Sequence, residues 1–141
     1  MTPETALLQV NAQPRLLLVE DEDSLRPLLV RVLERAGYHV QAVSGGEEAV
    51  RAFADGPEDF LAALVDLTLP DMSGEALIEH LRALRGDLPM IVCSGTARSA
   101  NEFAAEGAPV RFLQKPFLPA RLIEALAELL PGQSSSPSSA S

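Results

Sequence analysis

The sequence predicts an α/β domain, a five-stranded parallel sheet doubly wound as (βα)5 with helices on both faces. Three observations carry that expectation. Short apolar runs alternate with segments of helical periodicity from residue 16 to residue 130. Several of the runs are apolar at consecutive positions, as in strands covered on both sides. With 141 residues, 47% of them apolar, the chain can bury the core of one domain and leaves little room for a second.

The apolar runs are residues 16–19, 38–43, 61–65, 90–93 and 110–113. The second and fifth are more mixed, which places them nearer the sheet edges. After the first run, Leu25, Leu28, Leu29, Val32, Leu33 and Ala36 recur at helical spacing, and Gly37 supplies a stop. Ser44-Gly45-Gly46-Glu47 has the spacing of a capping box ahead of Ala49, Val50 and Phe53. Ser73 or Gly74 opens a third helix that carries Leu77, Ile78, Leu81 and Leu84. Residues 98–106 read as a weaker fourth helix, with only Phe103 and alanines to bury. Leu122, Ile123, Leu126, Leu129 and Leu130 mark a final helix, and Pro119 is allowed in its first turn. Flanking the domain at 14–130, residues 1–13 read as a flexible arm and the Ser-rich residues 131–141 as a disordered tail.

Charge narrows the functional classes. The net charge of −9 and pI of about 4.6 repel phosphate backbones, so direct nucleic-acid binding is not expected. No apolar run approaches the roughly 18–20 residues of a membrane span. The first ten residues lack the basic start and apolar stretch of a secretory signal. Cys93 is the only cysteine, which excludes an internal disulfide and suits a reducing compartment. A cytoplasmic location is the default expectation.

In a parallel sheet of this kind, sites form beyond the carboxyl ends of the strands. The first strand there ends in Glu20-Asp21-Glu22-Asp23, the third in Asp66, the fourth in Ser94-Gly95-Thr96, and the fifth in Lys115-Pro116. Carboxylates crowded on one rim repel one another, by about 4 kcal/mol for two charges about 4 Å apart at an effective dielectric of 20. A hard divalent cation relieves the repulsion, and oxygen-only ligands suit Mg2+. An Asp beside such a cation can attack a phosphoryl group, with Lys115 and the Ser94 hydroxyl as sources of countercharge and donors.

Taken together, Leu17-Leu18-Val19-Glu20-Asp21-Glu22, Val65-Asp66-Leu67-Thr68-Leu69-Pro70-Asp71-Met72-Ser73-Gly74, Val92-Cys93-Ser94-Gly95 and Lys115-Pro116-Phe117 resemble the receiver domain of two-component response regulators. The resemblance covers about residues 14–130, in the family's order and with nearly its spacing. It implies a flavodoxin-like receiver fold that takes a phosphoryl group from a phosphohistidine with the help of Mg2+. Asp66 would be the phosphoacceptor, Asp21 a direct Mg2+ ligand, Glu20 a ligand through water or a looser one, and the Thr68 carbonyl a further ligand. Lys115 would contact the phosphoryl oxygens, Ser94 would be the switch hydroxyl, and Phe112 falls at the aromatic rotamer position. The Lys115–Pro116 bond would be cis. A sensor histidine kinase or phosphotransfer protein is the implied partner, and the receiver would be free-standing or part of a hybrid sensor kinase. It would be a monomer or a weak homodimer through the fourth helix, fifth strand and fifth helix. It would not be an enzyme beyond its own phosphorylation and dephosphorylation. Three departures stand out: Glu20 where Asp is commoner, Ser94 with Gly95 where Thr with Ala is commoner, and a Ser94–Lys115 spacing about one residue short.

Rival readings fit less well. A phosphohydrolase of the haloacid dehalogenase type wants a second Asp where this chain has Thr68. A flavodoxin-type cofactor binder would offer amides and hydroxyls to a phosphate where Glu20–Asp23 repel one. A degenerate receiver serving only as a docking module is opposed by the intact set Asp21, Asp66, Ser94 and Lys115. His39 and His80 read as solvated or sheet-edge residues, Cys93 as a small buried apolar one, and Glu22 and Asp71 as loop carboxylates near the site that are not ligands.

Overall fold

The computed structural model describes residues 14–105 and 107–131. The predicted arm at 1–13, and the predicted tail beyond Pro131, lie outside the described residues. Five parallel strands, β1 (Arg15–Val19), β2 (His39–Val43), β3 (Phe60–Asp66), β4 (Met90–Ser94) and β5 (Val110–Gln114), form one sheet in the order β2-β1-β3-β4-β5. The mixed runs at 38–43 and 110–113 are the two edge strands, as their composition suggested.

Alternation along each strand sorts the core into two layers. Leu17, Val19, Ala63, Val65, Met90 and Val92 face one side, under α2 (Gly46–Ala54) and α3 (Gly74–Leu84). Leu16, Leu18, Ala62, Leu64, Ile91 and Cys93 face the other, under α1 (Arg26–Arg35) and α4 (Pro119–Leu129). Full burial of an aliphatic side chain contributes about 1.5–3 kcal/mol, so the central strands, apolar on both faces, anchor the molecule. Gly37 ends α1 at a φ of 99°, its N–H bonded to the Glu34 carbonyl, a backbone conformation that favours glycine.

Two local expectations need correction. The expected helix at 98–106 is not an α-helix over its described residues, 98–105. The described part holds one 3-10 turn, Ala100–Phe103, so the fourth crossover is made without a full helix. The apolar content explains this: Phe103 is buried against the sheet, and no second large side chain lies a helical turn away to extend the contact. Arginines then hold the turn against α3, Arg82 donating to the Phe103 carbonyl and Arg98 pairing with Glu75 and Glu102. The second correction concerns Ser44. Its N–H and hydroxyl are bonded to Glu48, not Glu47, and α2 is capped from elsewhere in the chain.

Candidate functional site

β1 and β3 are neighbours at the centre of the sheet, so their carboxyl ends bring Glu20 and Asp21 beside Asp66. One oxygen from each of the three carboxylates can be chosen so that all lie within 4.8 Å of one another. Glu20 and Asp66 are buried and Asp21 is exposed. The Lys115 ammonium reaches in from the end of β5, 2.6 Å from Asp66 Oδ2 and 2.9 Å from Glu20 Oε1. It is placed by its own backbone, whose N–H donates to the Ser94 carbonyl at 2.8 Å, and by a cis peptide bond to Pro116 as the resemblance implied.

Each buried carboxylate has further partners. Asp66 Oδ1 accepts the Thr68 N–H at 3.0 Å, and Glu20 Oε2 accepts the Glu22 N–H at 3.1 Å. Burial lifts the Glu20 carboxyl above its ordinary 4.5, against the pull of the Lys115 ammonium and the Glu22 amide. Burial alone would lower the Lys115 ammonium, but its hydrogen bonds to Asp66 and Glu20 outweigh that and hold it above the ordinary 10.5. One ammonium thus bonds two of the three clustered carboxylates, and the carboxylates outnumber it. Its donors are all hard oxygens, and exposed Asp21 leaves one side open to water. That set fits a small divalent cation and would not suit a soft metal.

The remaining predicted residues flank this centre. Ser94 is buried at the end of β4, and its hydroxyl hydrogen-bonds the Thr96 hydroxyl at 3.2 Å and accepts the Thr96 N–H at 3.1 Å. Among the described residues it makes no hydrogen bond to Asp66. Phe112 is half-buried on β5, in register with Val92 and packed against the layer that holds Phe103. Thr68 lies on the loop after β3, paired with Ser73 across a short bridge. His39 and His80 are exposed.

Three participants were not singled out as partners from the sequence. Arg26 donates to the Glu20 carbonyl at 2.8 Å and to Asp23 at 2.7 Å, fixing the acidic loop. Thr96 holds the Ser94 hydroxyl. Asp71, read only as a nearby loop carboxylate, accepts the N–H groups of Gly46 and Glu47 at 2.9 Å each. A Ser-X-Thr spacing and an Arg six residues after Glu20 were available signals; nothing local announced the Asp71 contact. Cys93 is buried beside the site, and burial pushes its thiol up to about 12. Iodoacetamide is therefore expected to leave Cys93 unmodified in the native protein at pH 8 and to alkylate it in urea. Rapid alkylation of the folded chain would contradict that placement.

The sequence profile of the response regulator receiver domain matches residues 16–127. The chain belongs to the response regulator receiver family. Over 120 residues this receiver is 37% identical to the sensory/regulatory protein RpfC of Xanthomonas campestris pv. campestris strain 8004, covering 82% of the chain and 16% of RpfC. It is 32% identical over 114 residues to the chemotaxis protein CheY of Thermotoga maritima, covering 79% of the chain and 93% of CheY. Among solved structures, a CheY-like receiver domain protein from Methanospirillum hungatei JF-1 superposes with a TM-score of 0.73 at 31% identity, over 86% of this chain and 96% of that one. The receiver thus corresponds to nearly all of a CheY and to about a sixth of RpfC. Among the described residues, no helix is long and apolar enough to cross a membrane.

Proposed function

We propose that this receiver, spanning residues 14–130, accepts a phosphoryl group from a phosphohistidine onto Asp66. The histidine would belong to a sensor kinase or phosphotransfer protein of a cytoplasmic phosphorelay. The observation that carries the proposal is the Asp66 carboxylate, buried at a strand end, oriented by the Thr68 N–H and the Lys115 ammonium and flanked by Glu20 and Asp21. In the transfer, an Asp66 oxygen bonds to phosphorus while the P–N bond breaks. The electron pair of that bond returns to the imidazole, which takes a proton from solvent. Lys115 meets the charge on the phosphoryl oxygens as it arrives. Glu20, Asp21, Asp66 and the Thr68 carbonyl would hold a Mg2+, which when bound would neutralise phosphoryl charge.

A phosphoryl on Asp66 adds charge and three acceptor oxygens. The Ser94 hydroxyl then exchanges Thr96 for the phosphoryl group, and Phe112 turns toward the vacated space. The face formed by the Ala100–Phe103 turn, β5 and α4 changes with it, and a partner or a second copy of the receiver reads that face. Direct nucleic-acid binding does not fit the net charge of −9. The chemistry ends with self-phosphorylation and autodephosphorylation, so the receiver is a switch and not an enzyme with a separate substrate. The test is intact mass after incubation with acetyl phosphate, with and without Mg2+. A Mg2+-dependent gain of one phosphoryl group is expected, absent in Asp66→Asn. Labelling that persists in Asp66→Asn would move the acceptor elsewhere. No labelling of the wild type by acetyl phosphate or by a phosphohistidine donor would favour a docking module.

A further inference from the structure

Helix α2 begins with no side-chain cap of its own, because its N-cap residue is Gly45. The N–H groups of Gly46 and Glu47 instead donate to Asp71 Oδ1 and Oδ2, each at 2.9 Å. A helix N-terminus carries unpaired donors and partial positive charge, so a carboxylate that accepts two of them ties strongly. Asp71 belongs to the loop 67–73, which joins Asp66 to α3. The neighbouring residues are shaped to this contact. A Cβ on Gly45 would lie 3.1 Å from Asp71 Oδ1, and the Met72 side chain fills the space that a Cβ on Gly46 would need. At its base the same loop is closed by the Thr68–Ser73 bridge and by the Gly74 N–H on the Leu67 carbonyl at 2.9 Å. Thr68, within that base, donates its N–H to Asp66. Tip and base are therefore both fixed, the tip to another element of the fold.

We propose that Asp71 is a positioning residue: by fastening the loop 67–73 to the N-terminus of α2, it presets the Thr68 backbone beside Asp66 for cation binding and phosphoryl acceptance. This rests on the reading of Asp66 as the acceptor and of the Thr68 carbonyl as part of the cation's shell. A residue that only capped α2 would act on stability alone. A positioning residue acts on the site even after the helix has been given another cap.

Two variants separate the roles. Asp71→Ala removes both. Gly45→Ser added to Asp71→Ala restores a cap from within α2 while leaving the loop untied. Gly45 has extended backbone (φ −156°, ψ 175°) that serine adopts freely, and the oxygen that crowds the new Cβ is gone. Three quantities are measured: the urea midpoint, Mg2+ affinity from the amide shifts of Asp66 and Thr68, and the phosphorylation rate with acetyl phosphate. Asp71→Ala is expected to lower the midpoint, to weaken Mg2+ binding about tenfold and to slow phosphorylation by a similar factor, as loss of a supporting contact around a metal site does. In the double variant the midpoint should recover while affinity and rate stay low. Wild-type affinity and rate in Asp71→Ala, or recovery of all three in the double variant, would reduce Asp71 to a helix cap. If the wild type itself takes no phosphoryl, the reading of Asp66 fails, and the Mg2+ titration still decides the role of Asp71.

Discussion

Lys115→Ala should lower the unfolding free energy by about 3 kcal/mol at pH 7 and stop phosphorylation of Asp66. The ammonium lies within hydrogen-bond distance of two buried carboxylates, at 2.6 and 2.9 Å. Removing one partner of a buried pair leaves uncompensated charge, which destabilises by about 3–5 kcal/mol; the low end applies because Lys115 keeps 21% of its side-chain exposure. The pH profile should carry the same signature. With its folded-state pKa raised, Lys115 contributes stability that is fully present below pH 10.5 and lost as pH rises through the folded value, a loss the alanine variant cannot show. Glu20, also raised, contributes stability from its protonated form that is fully present below pH 4.5 and fades as pH rises through its folded value. Without the ammonium that folded value rises further, so the variant should regain stability on mild acidification. Urea titrations at pH 5, 7 and 11 test this. A change within about 0.5 kcal/mol at pH 7, the range of ordinary surface substitutions, would show that Lys115 does not hold these carboxylates.

The second large effect is on cation affinity. Asp21→Asn should weaken Mg2+ binding at least about 100-fold, about 2.7 kcal/mol, without lowering the stability of the metal-free receiver. Asp21 is exposed and adds a third negative charge to two that share one ammonium. Neutralising it removes repulsion and leaves no buried group unpaired. The two substitutions therefore move opposite quantities: Lys115→Ala stability in the absence of metal, Asp21→Asn affinity for it. Isothermal titration with Mg2+ decides the matter, and wild-type affinity in Asp21→Asn would remove that carboxylate from the ligand set.

Much of this was legible because burial writes itself into the chain at short range. Consecutive apolar residues marked β1, β3 and β4, and their mixed counterparts fell at the sheet edges because one side of an edge strand meets solvent. The convergence of Glu20, Asp21, Asp66, Ser94 and Lys115 followed from topology once the strands were placed. Length was less legible than position. A Ser-X-X-Glu pattern at Ser99 does start a turn, with the Ser99 N–H on Glu102 at 3.0 Å, but it cannot say how far the turn runs. That depended on the missing apolar partner for Phe103. The same pattern at Ser44 misled, because the donors of α2 are satisfied by Asp71, which lies 25 residues from Gly46. Such a contact is decided by how two loops meet in space, and no local periodicity reports it.

The ammonium of Lys115 and the carboxylate of Glu20 are 95 positions apart along the chain, and Asp66 lies 49 positions before Lys115. No fragment ending before β5 contains the groups that make the centre work. A nascent polypeptide that has emerged only as far as β4 would hold two acids destined for burial and no cation of its own to offset them. On the proposed reading of Asp66, completing the last strand also completes the phosphoryl-accepting centre.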